Sequence, residues 1–79
     1  MNESINVRIA SRVSEREARD HFESGASVLV SEQGHLEELL VGPSTVTHDK
    51  SRTTWQALKA QVDMWRNRYP GQRYYIIPA

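Results

Sequence analysis

The chain has 79 residues, 10 basic and 10 acidic groups and no cysteine. A chain this short hides only about 60% of the surface its unfolded form exposes, so one core and one domain (1–79) are expected. The composition excludes a disulfide framework, a thiolate metal site and a thiol nucleophile. The longest apolar runs are three or four residues ("VLV", "LLV", "YYII"). With no basic leader at the start, these runs predict neither a signal peptide nor a membrane span, and a cytoplasmic location is the expectation.

The first element is read from "SINVRIAS", where Ile5, Val7 and Ile9 alternate with Asn6 and Arg8. That period of two predicts a strand with one dry face. "VSEREARDHFESG" then predicts a short helix. Ser14 is the N-cap, Glu17 completes a capping box, Val13 and Ala18 form a staple, and Gly25 stops the helix. Its dry stripe is thin, mainly Ala18 and Phe22. "ASVLVSEQGHLEELLV" reads as two strands, about 26–31 and 36–41, joined as a hairpin at Gly34. A polar loop over 42–54 follows, with an extended piece around Val46. From Thr53 onward Trp55, Leu58, Val62, Trp65 and Tyr69 recur at helical spacing; Thr53 with Gln56 is the expected cap and "YPG" at 69–71 the stop. "QRYYIIP" closes the chain as an aromatic, β-branched strand.

This order, β-α-β-β-α-β, predicts a two-layer α+β sandwich with two helices on one face of a four-stranded sheet. A ferredoxin-like arrangement is the first topology to expect. If the first strand stays outside the sheet, an α-β-β-α layout like that of double-stranded-RNA-binding domains remains.

Two helices cover one face of such a sheet, and strand alternation then sends apolar groups to the other. The residues expected there are Leu29, Leu40, Tyr75 and Ile77, rimmed by Arg8, Arg73 and Glu38. Such a patch needs a cover: a protein partner, a second copy of the chain, a nucleic acid stacking on Tyr75, or the chain's own loop or terminus. A small non-enzymatic interaction module of adaptor or inhibitor type is the first functional expectation. The alternative is a nucleic-acid binder using Arg66, Arg68, Arg73, Lys50 and Arg52. Residues 1–49 hold four arginines against nine acids, and residues 50–79 hold six basic groups against Asp63 alone. The alternative draws on that positive half, but the net charge of zero gives phosphate affinity no general support.

A weaker candidate is an anion site before the second helix, where Lys50, Arg52, Thr53 and Thr54 lie close to unpaired helix N–H groups. The three histidines lack ligand spacing, the glycines are isolated, and Glu37 and Glu38 fall on opposite strand faces. No catalytic, metal or cofactor site is therefore expected.

Overall fold

A computed structural model of the chain describes residues 8–31, 36–42 and 45–78. The elements are β1 (Ile9–Val13), α1 (Glu15–Glu23), β2 (Val28–Ser31), β3 (Glu38–Leu40), β4 (Thr45–His48), α2 (Trp55–Arg66) and β5 (Tyr74–Ile76). The beginning of the expected first strand (residues 5–7) and the expected hairpin turn (residues 32–35) lie outside the described residues.

Both helix starts and the stop of α1 follow local chemistry, whereas α2 ends at Arg66, three residues before the expected "YPG" stop, so Tyr69 lies beyond the helix. Ser14 Oγ accepts from the Glu17 N–H at 3.1 Å, and Glu17 Oε1 accepts from the Ser14 N–H at 3.3 Å, so the capping box is complete. At the other end the Gly25 N–H donates to the Phe22 carbonyl and the Ala26 N–H to the His21 carbonyl. Gly25 sits at φ +98°, the left-handed conformation that this type of helix stop requires. On α2 the cap is Thr54, one residue later than expected, with its hydroxyl accepting from the Ala57 N–H at 3.2 Å.

The sheet has five strands in the order β3-β1-β5-β2-β4, with every neighbouring pair antiparallel. Both β1 and β2 run antiparallel to β5, so they are parallel to each other, with α1 crossing between them and β5 inserted. The expected hairpin between the second and third strands does not form. β2 pairs instead with β4, the extended piece around Val46 inside the predicted polar loop, while β3 crosses to pair with β1. The four-stranded ferredoxin-like order is thereby corrected to this five-stranded one, and because β1 joins the sheet the α-β-β-α alternative does not describe it. The strand positions follow composition. "VLV" in β2 and "YYI" in β5 are apolar on both faces and take interior places, whereas "TVTH" in β4 tolerates an edge.

The edge strands β3 and β4 are joined by only four residues, 41–44. In a flat sheet five strands wide the edges stand about 19 Å apart, more than the roughly 17 Å such a link spans when fully extended. The sheet therefore curls. Near the link the Thr45 hydroxyl reaches the Leu40 carbonyl at 3.4 Å and the Thr45 N–H donates to the Gly42 carbonyl at 2.9 Å.

Curling gives the sheet two cores. On the helix side Ala18 and Phe22 of α1 and Trp55, Leu58 and Val62 of α2 pack on Val28, Val30 and Tyr74. Trp55 stacks on Tyr74 with ring centroids 5.2 Å apart. Inside the curl Ala10, Leu29, Leu39 and Tyr75 form the second core, with Val41 and Ile77 against it. Replacing Ser14 with alanine removes a cap that positions α1 over the first core. Urea unfolding of Ser14→Ala is expected to show a loss of about 1 kcal/mol with an unchanged slope.

Candidate functional site

Alternation and register assign every strand residue to a face. Ala10, Leu39, Tyr75 and Leu29 share the inside of the curl, while Ile9, Leu40, Val13, Tyr74 and Ile76 share the helix side. The expected open outer face is absent at its centre. Leu29 and Tyr75 are both 0% exposed. Their cover includes the chain's own backbone. The Tyr75 hydroxyl accepts from the Leu36 N–H at 2.6 Å and donates to the Leu36 carbonyl at 2.5 Å, which pins the residues before β3 across the ring. Ile77 is half-buried against the same core.

Leu40 belongs to the opposite face. It stands directly across from Ile9, and the two are 61% and 47% exposed. The helices pack over β2 and β5 and do not reach this pair, so the β1–β3 wing on the helix side carries the uncovered apolar surface. Leu36 at the start of the wing is also exposed, and Glu38 shares the face of Leu40. Arg8 is exposed at the head of β1, where its carbonyl accepts from the Val41 N–H, and alternation sets its side chain away from Ile9. The structure thus separates the predicted residues into a group at the inner core (Leu29 and Tyr75 buried, Ile77 half-buried) and an exposed group (Leu40, Glu38). Ile9 was missed as a surface residue. Its alternation is evident in the sequence, but the extent of helix cover over its face is not.

The expected anion site before α2 is engaged internally. Lys50 Nζ donates to the Glu23 carbonyl at 3.0 Å, at the C-terminal end of α1, and lies 3.8 Å from the Glu23 carboxylate. Arg52 faces Asp49 at 4.0 Å, and the Thr54 hydroxyl is taken by the helix cap. Asp49 accepts from the Ser51 hydroxyl and N–H, and these bonds hold its carboxyl below the usual range. His48 beside it is pushed below its usual value by burial, against the opposing pull of Asp49. Among the described residues no group of three histidines or carboxylates is placed to hold a metal ion.

A second surface feature lies where β1 ends, α1 begins, α2 ends and β5 begins. It is a cleft of about 450 Å³ whose walls include Arg12, Glu15, Glu17, Arg66, Arg73 and Tyr74. Arg12 pairs with Glu37 at 3.0 Å. Arg66 Nε donates to the Gln72 carbonyl at 3.2 Å, one of its terminal nitrogens lies 3.3 Å from Asp63, and its guanidinium sits 5.9 Å from the Tyr74 ring centre. Arg73 donates to the same Gln72 carbonyl at 3.0 Å. Gln72 itself is buried, and its Nε2 donates to the Ser31 carbonyl at 2.5 Å, tying the end of β2 to the segment before β5. The Tyr74 phenol is buried without a hydrogen-bond partner, and burial first, then the Glu15 charge, pushes its pKa up to about 12.

Two measurements check this description. Tyr75→Phe removes both hydroxyl bonds to Leu36 and is expected to lower the unfolding free energy by about 1–3 kcal/mol, whereas Leu40→Ser, on the exposed wing, changes it by no more than about 0.5 kcal/mol. Alkaline unfolding reports Tyr74. Below pH 10 folded and unfolded chains both carry the neutral phenol. Above it the unfolded chain ionises first, so stability falls between about pH 10 and 12 and then levels. The loss from this group is about 2–3 kcal/mol at 1.36 kcal/mol per pH unit. Tyr74→Phe should remove that part and leave a smaller alkaline loss from Tyr75, whose pKa is also raised by burial.

No family model matches this chain, and neither the curated proteins nor the solved structures include a detectably similar one.

Proposed function

We propose that the chain is a small, non-enzymatic protein-interaction module whose contact surface is the uncovered β1–β3 wing. The observation that supports this reading is the exposed Ile9–Leu40 pair, set side by side on two hydrogen-bonded strands. A cross-strand pair of this kind is held rigid by the ladder, so a partner gains its burial with little ordering cost. Burying the exposed half of each side chain is worth about 1–2 kcal/mol, the scale of contacts that matter at the centre of an interface. Glu38 on the same face and Leu36 at its margin give the wing an acidic edge and additional apolar area.

The nucleic-acid reading has less to support it. Four of its five basic side chains already face acids or carbonyls of the chain: Arg66 with Asp63 and Gln72, Arg73 with Gln72, Lys50 with Glu23, and Arg52 with Asp49.

The test compares crosslinked partners of the wild-type protein with those of Ile9→Glu and Leu40→Glu, using Met64→Glu as a control. Met64 is 57% exposed on α2. The two wing variants are expected to lose at least tenfold of the captured partner while the control keeps it. Light scattering across protein concentration identifies the case in which that partner is a second copy. A partner retained equally by all three variants would overturn the reading.

A further inference from the structure

The end of α2 carries a surface independent of the wing. Trp65 and Tyr69 continue the spacing of the buried stripe, yet neither belongs to the two cores or to the half-buried groups packed on them. They pack on each other instead, half-buried, with ring centroids 6.3 Å apart and the rings 19° from parallel. Beside them Met64 and Arg68 are exposed, and Met64, Trp65 and Arg68 line a hollow of about 230 Å³. Two donors are unmet here. The Trp65 indole N–H is buried without a hydrogen-bond partner, an arrangement folded proteins seldom keep. Arg68 has no ion pair among the described residues, because Asp63, the one acid of α2, is held by Lys59 and Arg66. Those three charged groups occupy the flank of α2 next to α1, where Lys59 also reaches Glu15. At 100° per residue Ala57, Ala60 and Met64 fall on the other flank, so α2 presents no acid on the side of the hollow. Tryptophan, tyrosine, methionine and arginine are the residue types enriched at the centres of protein interfaces.

We propose that this hollow seats one large apolar side chain of an acidic peptide segment of a partner protein, with a neighbouring carboxylate of that segment bound by Arg68. Size selects the occupant. Pockets for small molecules run from about 300 to 1,000 Å³, whereas the hollow at the end of α2 is smaller and holds a single side chain. Its walls, the flexible Met64 thioether and the Trp65 ring, fit an aliphatic or aromatic group, and the Trp65 indole N–H is a donor for an oxygen of the segment. Charge selects what stands beside that group. One unpaired guanidinium with no acid in the wall favours a carboxylate. A nucleic acid is the poorer fit, because a single unpaired cation gives little phosphate affinity. A partner held here is lost in Met64→Glu and kept in Ile9→Glu and Leu40→Glu, the reverse of the pattern for the wing.

The test is a two-dimensional NMR titration of the full chain that follows the two tryptophan indole N–H signals and the arginine Nε–H signals. The probes, at matched ionic strength, are a capped peptide with a central phenylalanine flanked by aspartates, the same peptide with lysines for aspartates, the aspartate peptide with serine for phenylalanine, and a thymidine oligonucleotide. The expected result is saturable movement of the Trp65 and Arg68 signals with the first peptide, while Trp55, buried in the helix-side core, stays still. The other two peptides are expected to bind at least tenfold more weakly. Met64→Glu and Arg68→Glu, both at exposed positions, should each weaken the first peptide at least tenfold, and Arg68→Glu should turn the preference toward the lysine peptide. No saturation by about 10 mM peptide, equal binding of the three peptides, tighter binding of the oligonucleotide, or wild-type affinity in Arg68→Glu would each overturn the proposal. Amide spectra verify the fold of both variants, and one that unfolds is replaced by Met64→Gln or Arg68→Gln, which should weaken binding in the same direction.

Discussion

The short tether between β3 and β4 governs the rest of the architecture. It connects the two outermost strands of a five-stranded sheet with four residues, too few to cross a flat sheet, so the strands bend toward one another. Bending creates the inner core of Ala10, Leu29, Leu39 and Tyr75, which would otherwise be a wet apolar face. It also brings the backbone at Leu36 within bonding distance of the Tyr75 hydroxyl. A chain of 79 residues with two short helices gains a second buried layer from its own curvature, where longer chains would add another layer of helices.

Curvature also determines what stays open. Helices α1 and α2 pack over β5 and β2, and the β1–β3 wing turns away from them, leaving Ile9 and Leu40 about half exposed. The apolar surface available to a partner is consequently on the helix side of the sheet, at its far margin. The arginine cleft lies at the meeting point of both helices and the central strands, where charge from several elements converges. One surface is apolar and strand-borne; the other is ionic and built from element ends.

Electrostatics joins the two halves of the chain. Lys50 reaches Glu23, and Lys59 reaches Glu15, so two cations of the positive half meet acids of the negative half on α1. Exposed pairs such as these contribute little stability individually. Their larger effect is to shorten the range of the field, because the interleaved strand order places β5 of the basic half between β1 and β2 of the acidic half.

By itself the sequence determined the features whose physics is local. The α1 capping box at Ser14 and Glu17, its glycine stop, the buried stripe of Trp55, Leu58 and Val62, and the strand character of "VLV" and "YYI" all rest on groups a few residues apart. The alternation that placed Leu29 and Tyr75 on one face was legible for the same reason. Only the tertiary structure decided which strand lies beside which, because β3 can satisfy its backbone against β2 or against β1 with equally good hydrogen bonds, and the sequence nearby does not distinguish the two. That pairing fixes the parity of Leu39 and Leu40, and with it which leucine is buried and which faces solvent. The cleft was beyond local reading for the same physical reason. Arg12, Arg66 and Arg73 become neighbours only after β5 has inserted beside β1 and α2 has packed above it.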